Sequence, residues 1–264
     1  MIAMNATHTL KKKILTLFQF LKFARRYPAV LIVGAPKIVR LLHANCREKS
    51  STFYSQAGQD LFILSEFFSK ITSPNFPKTF LDVGANHPVT FNNSYFFEKF
   101  LGFQTFAVDA IAKHNKGWRM IRPNATFLNV AVGSRDGANV SFEVFDGAGN
   151  EDMYSAVVGS SGKTLSETSS QTLSVNTRTL SSLLAQWDLE RVGILSIDIE
   201  GFEFAAIQGL DFTKTSPGIL VIENNTVGVL GDEAIRYHLS QSGYVFYARF
   251  WALDDVFAHK NLLA

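Results

Sequence analysis

From residue 79 onward, short apolar runs alternate with stretches whose apolar residues recur every three or four positions. The runs "TFLDV" (79–83), "QTFAVDA" (104–110), "ATFLNVAVG" (125–133) and "VSFEVF" (140–145) have the length and the β-branched or aromatic content of strands. Between them, "NNSYFFEKFLG" (92–102) predicts a helix with Asn92 or Asn93 near its cap and Gly102 at its end, and "IAKHNKGWRMI" predicts another. The alternation resumes with a strand near 172–177, a helix from Thr179 to about Trp187 and the strand "VGILSIDI" (192–199). A helix at 202–210, the strand "GILVIEN" (218–224), a helix at 232–242, the strand "YVFYA" (244–248) and a last strand over 250–258 complete the pattern. Continuously apolar strands alternating with helices predict an α/β fold, with a mostly parallel sheet covered on both faces.

The polar stretch 146–171 is too long for an idle loop in a compact domain and predicts a lid or binding loop. Within it, Met153, Tyr154 and Ser155 are candidates to contact a bound molecule.

Residues 1–50 follow another pattern. In "KKKILTLFQFLKFARR" (11–26), Ile14, Leu17, Phe18 and Leu21 share one helical face, and Pro28 ends or interrupts the helix. Charge separates this arm from the rest. Residues 1–50 hold ten Lys/Arg against one acid, Glu48, whereas residues 51–264 hold fifteen against twenty-two. The division predicts a basic amphipathic helical extension (1–50) before an acidic body (51–264). The arm has three readings: it lies on an anionic membrane through residues 10–43, it packs against the body or a partner subunit, or it is a disordered or targeting segment. No run reaches about 18 uncharged apolar residues, so no membrane-spanning helix is expected. The start resembles a signal peptide only loosely, with Gln19 and Lys22 inside its apolar core. A cytoplasmic protein, peripheral at most, is the expectation. Cys46 is the only cysteine, which excludes an intramolecular disulfide and a cysteine cage for metal. With an acidic body, nucleic acid is not an expected partner.

The chemistry concentrates at "LDVGANHP" (81–88). In doubly wound sheets ligands sit beyond the carboxyl ends of the strands, at the switch point. If 79–83 is the first strand, Asp82, Gly84 and Asn86 stand there. Gly84 lets backbone approach a ligand, and Asn86 offers donors and acceptors. The next strand ends in Asp109, 25 positions after Gly84, where a carboxylate can accept hydrogen bonds from ribose hydroxyls. The later glycines of a pyrophosphate loop are missing, and His87 and Pro88 occupy that space. A nucleoside cofactor without phosphates, such as S-adenosylmethionine, suits this corner better than a dinucleotide. A nicotinamide-dependent oxidoreductase, or a non-catalytic membrane-surface protein with a vestigial fold, are the competing classes.

Four segments resemble the FkbM-like methyltransferases: "YSQAGQDLFIL" (54–64), "FLDVGANHPVTFNNSYFFEK" (80–99), "VAVGSRDG" (130–137) and "LSIDIEGFEFAAIQGLDF" (195–212), the last followed by "LVIENN". His87-Pro88 stands where many members carry a glycine. The resemblance implies a class I, Rossmann-like methyltransferase fold: a three-layer sandwich around a seven-stranded sheet with an antiparallel last strand. It also implies cofactor contacts at Gly84, Asn86 and Asp109, closure of the segment around Gln56 and Asp60 over the cofactor, and hydroxyls of sugars, glycans or natural products as acceptors.

Methyl transfer to an alcohol benefits from a base. Asp198 and Glu200 are the first candidates: if 198–200 is still extended, both point to one side, and crowding two carboxylates raises one pKa. The same pair could hold a divalent cation. His87, beside the cofactor loop, is the third candidate. Glu203 has the alternative of capping the amides around Gly201, and Glu223 and Asn224 end the following strand within reach of a substrate.

Overall fold

A computed structural model describes residues 53–56, 58–145, 156–157, 170–224, 229–250 and 254–264. The arm 1–50 and the loop residues Met153, Tyr154 and Ser155 lie outside the described residues, as does the expectation of a membrane-bound or packed N-terminal helix.

The chain enters through α1 (Gln59–Glu66) and α2 (Phe68–Ile71) and reaches β1 (Thr79–Val83). Next come α3 (Tyr95–Leu101), β2 (Gln104–Asp109), a 3-10 turn at Ala112–His114, α4 (Asn115–Ile121), β3 (Thr126–Asn129) and β4 (Ala131–Val132). Strands β5 (Asn139–Phe145), β6 (Ala156–Val157) and β7 (Ser170–Arg178) precede α5 (Leu180–Gln186), β8 (Ile194–Ile197) and α6 (Glu203–Gln208). The chain closes with β9 (Ile219–Glu223), α7 (Val229–Gln241), β10 (Tyr244–Phe250), β11 (Asp254–His259) and α8 (Lys260–Leu263).

The main sheet runs β10-β11-β9-β8-β1-β2-β3. β1, β2, β3, β8 and β9 pair in parallel, and β11 inserts antiparallel between β9 and β10. Each strand sends alternate residues to opposite faces. Leu81, Val83, Leu195, Ile197, Leu220, Ile222 and Phe257 build one apolar layer with the buried side chains of α5, α6 and α7. Phe80, Ile194, Ile219, Val221, Val256 and Ala258 build the other, beneath α1 and α3. That second layer absorbs much of the phenylalanine: Phe62, Phe67, Phe76, Phe96, Phe97 and Phe103 are buried in it. Burying each such ring contributes roughly 1.5–3 kcal/mol.

Differences from the sequence expectation have local causes. The run 125–133 divides, because β2 ends at Asp109, opposite Asn129, and leaves no strand to pair beyond it. Ala131–Val132 then pairs with β7 in a second sheet of order β4-β7-β5-β6. The helix expected over 92–102 starts at Tyr95, because the Asn92 side chain accepts from the amides of Ser94 and Tyr95. The strand expected over 192–199 stops at Ile197, where its partner β1 ends at Val83.

Candidate active site

The ends of β1, β2 and β8 meet at one corner. After Val83 the chain turns at Gly84, φ 80°, and the amides of Gly84 and Ala85 both donate to the Val108 carbonyl of β2 (2.9 and 3.1 Å). On the opposite side, the Asp198 amide donates to the Val83 carbonyl (3.0 Å). A Cβ on Gly84 would lie 1.7 Å from the Asp198 carbonyl oxygen, so only glycine fits between the two strand ends.

Asn86 follows with φ 42°; its amide donates to Asp109 Oδ2 (2.8 Å), and its carbonyl accepts from Trp118 Nε1 (2.8 Å). Asp109 Oδ1 accepts from the Ile111 amide (2.7 Å). The sequence-predicted trio Gly84, Asn86 and Asp109 is thus held at one place. Asp109 is partly exposed, and its carboxylate is an acceptor-only group. Such an acceptor fits the hydroxyls of a nucleoside.

Asp82 is 3 % exposed and lies beneath the loop, where it accepts from Asn92 Nδ2 (3.3 Å). Burial raises its pKa, opposed by Ser94 and by the charge of Arg122. In this position it braces the loop from below. Gln56 is exposed at the surface; Gln59, three residues on, is the side chain that reaches inward, donating from Nε2 to Asp254 Oδ2 (2.9 Å). Asp60 closes its own segment, accepting from the Tyr54 amide (2.7 Å) and the Ser55 hydroxyl (2.6 Å).

His87 Nδ1 accepts from the amides of Val89 (3.1 Å) and Thr90 (2.9 Å). Accepting there requires the neutral ring with its proton on Nε2. In this arrangement His87 orders the loop, and the nitrogen that could take a proton is already engaged.

At the third strand end, Asp198, Glu200 and Glu223 each present a carboxylate oxygen within 4.8 Å of the others. They do not converge through an extended 198–200 segment. Glu200 (φ 53°) and Gly201 (φ 98°) form a left-handed turn, and Glu203 Oε1 braces it by accepting from the amides of Ile199 and Gly201 (3.0 Å each). Glu203 therefore takes the capping role. Burial pushes the carboxyls of both Asp198 and Glu223 up from the ordinary range, with mutual proximity and the neighbouring acids adding to it for Glu223 and Asp254, Glu200 and Glu203 adding to it for Asp198. Asp254, directly opposite Glu223 in the β9–β11 register, is pushed up to about 6, chiefly by burial. Crowded buried carboxyls retain a proton between them rather than all ionise. The same oxygens are also the donors a hard divalent cation takes.

Glu223 was expected to reach substrate but not to join the base. Asp254 and Gln59 escaped the sequence reading, because their approach depends on β11 inserting beside β9 and on α1 crossing the sheet. Arg122, fully buried on the far side of the loop, escaped it too. It donates to the carbonyl of Pro88 (3.2 Å), Asn92 Oδ1 (2.9 Å) and Ser94 Oγ (3.0 Å), and pairs with Glu98 (2.6 Å).

Parallel strands joined through helices, an antiparallel strand inserted next to the far edge, and a glycine corner beside an acid at the switch point define a class I methyltransferase fold. The family model described as the methyltransferase FkbM domain matches residues 82–246, and the chain belongs to that family. The oxidoreductase alternative is set aside with it. A search of the curated proteins gives no match. Two solved structures are similar at 12% identity. A putative O-methyltransferase from Klebsiella pneumoniae matches with a TM-score of 0.39 over 89% of this chain and 94% of that one. The O-methyltransferase from Bacillus cereus in complex with SAH matches with a TM-score of 0.40 over 88% and 95%. Scores this low add nothing to the family match and the strand order.

Proposed function

We propose that the protein is an S-adenosylmethionine-dependent O-methyltransferase acting on a hydroxyl of a sugar, glycan or natural-product acceptor. The observation that carries this reading is the corner itself: Gly84 wedged against Asp198, with Asn86 tied to Asp109, so that a nucleoside-binding acid and a carboxylate cluster flank one backbone turn. When bound, S-adenosylmethionine supplies a methyl group on a sulfonium, transferred in line to the acceptor oxygen. Asp109 accepts from the ribose hydroxyls, and the backbone at Gly84 and Asn86 lines the approach to them. Asp198, sharing a proton with Glu223, takes the proton that the acceptor hydroxyl loses as the new C–O bond forms. Glu200 lies in the same cluster and Glu203 fixes the turn that carries it.

The test is Asp198→Asn. Turnover on hydroxyl acceptors falls about a hundredfold or more, while calorimetric affinity for S-adenosylhomocysteine is retained. Full turnover in the variant removes Asp198 from the chemistry. Loss of turnover in chelator, restored by magnesium, would assign the three carboxylates to a cation instead of a proton.

A further inference from the structure

We infer that the outer face of α4 is a docking surface for an anionic lipid bilayer. Between Asp109 and Asp136 the sequence contains no acid, yet it carries Lys113, Lys116, Arg119, Arg122 and Arg135, in a domain where acids outnumber bases. Arg122 is turned inward to Glu98, which leaves Lys113, Lys116 and Arg119 exposed along the helix and the turn before it. Lys116 and Arg119 have no ion-pair partner among the described residues. In the last turn of the same helix, Met120 and Ile121 are 71% and 49% exposed.

Cations interleaved with protruding apolar side chains match a bilayer surface. The ammonium and guanidinium groups meet lipid phosphates, and the aliphatic tips gain by leaving water at the acyl boundary. A nucleic-acid phosphate track would use the cations and leave Met120 and Ile121 without a role. The patch also lies against the loop that forms the corner. Trp118 Nε1 donates to the Asn86 carbonyl, His114 packs on His87 with ring centroids 5.2 Å apart, and a Cβ on Gly117 would touch Pro88. A bilayer held by α4 is therefore held beside the loop. This surface is separate from the arm at 10–43 and rests on different residues.

The test uses the full chain, so that the arm is constant. Sedimentation compares vesicles of phosphatidylcholine with phosphatidylserine against vesicles of phosphatidylcholine alone, for the parent, K116E/R119E and M120S/I121S. Binding to the anionic vesicles weakens at least about tenfold in K116E/R119E, since each cation near such a surface contributes about fivefold. M120S/I121S weakens it severalfold, and added salt weakens the parent. These positions are exposed, so thermal unfolding and affinity for S-adenosylhomocysteine stay at parent values and report an intact fold. Equal partitioning of the parent and both variants overturns the proposal. So does a loss of binding to single-stranded polyuridylate in K116E/R119E with vesicle binding unchanged, which would make the face a nucleic-acid surface.

Discussion

Gly84 and Asp198 are in contact through backbone alone: the α-carbon of one faces the carbonyl oxygen of the other with no room for a methyl group between them. The link joins the loop after β1 to the turn after β8, so the two halves of the site share one geometric constraint. Gly84→Ala adds both a clash and an L-residue at φ 80°. It is expected to destabilise the fold by roughly 2–4 kcal/mol and to weaken S-adenosylhomocysteine binding. Thermal unfolding and calorimetry check this, and a parental melting curve would show that the corner can widen freely.

Asp109 holds the loop through the Asn86 and Ile111 amides and, in the proposed function, also accepts from the cofactor ribose. Asp109→Ala removes the acceptor for the Asn86 and Ile111 amides as well as the ribose partner, and S-adenosylhomocysteine affinity should fall at least about tenfold, or about 1.4 kcal/mol. Both lost bonds are local and at a partly exposed site, so circular dichroism should be unchanged. Parental affinity would take Asp109 out of the cofactor site.

The acid cluster makes stability depend on pH in an unusual direction. Asp254 has an ordinary value of 3.8 when unfolded and is pushed up to about 6 when folded, so the folded chain holds its proton more tightly. The stabilisation from that proton is complete below pH 4 and is lost as pH rises through 6. Asp254→Asn keeps an acceptor for Gln59 and never ionises. At pH 8 it should be more stable than the parent by roughly 1–3 kcal/mol, with the gap closing towards pH 4. With Asp198 as the proposed base, turnover should rise as Asp198 ionises, and because the Asp254 charge helps hold the Asp198 proton, that rise should come at lower pH in the variant. Denaturant melts and a pH–rate profile test the two parts separately.

Arg122 and Glu98 form a pair in which the guanidinium is wholly buried. Glu98→Gln leaves that charge with only neutral acceptors at Pro88, Asn92, Ser94 and Thr105. Removing one partner of such a pair costs about 3–5 kcal/mol. The loss should be smaller in the double variant Arg122→Met/Glu98→Gln, and a double-mutant cycle of unfolding free energies measures the coupling.

Most of this fold is legible along the chain. Strand periodicity marks β1, β2, β8 and β9, Gly84 marks the turn that ends β1, and the Gly84–Asp109 spacing marks the candidate corner. Those signals are local: a continuously apolar strand must be buried on both faces wherever it lies, and a glycine with positive φ marks a turn whatever follows. Asp198 and Glu200 were readable as a pair for the same reason, although the left-handed turn, not an extended strand, brings them together.

What the sequence by itself determined, then, is the order of elements, the corner after β1 and the acids that end the strands. Only the tertiary structure decided which acids meet. Glu223 stands opposite Asp254 because β11 threads antiparallel between β9 and β10, and Gln59 reaches Asp254 because α1 crosses that face. It likewise turned Asp82 under the loop, left Gln56 at the surface and buried Arg122 against Glu98. The physical reason is range: hydrophobic period and turn chemistry act over a few residues, whereas desolvation and charge act through space, between side chains as many as 195 positions apart.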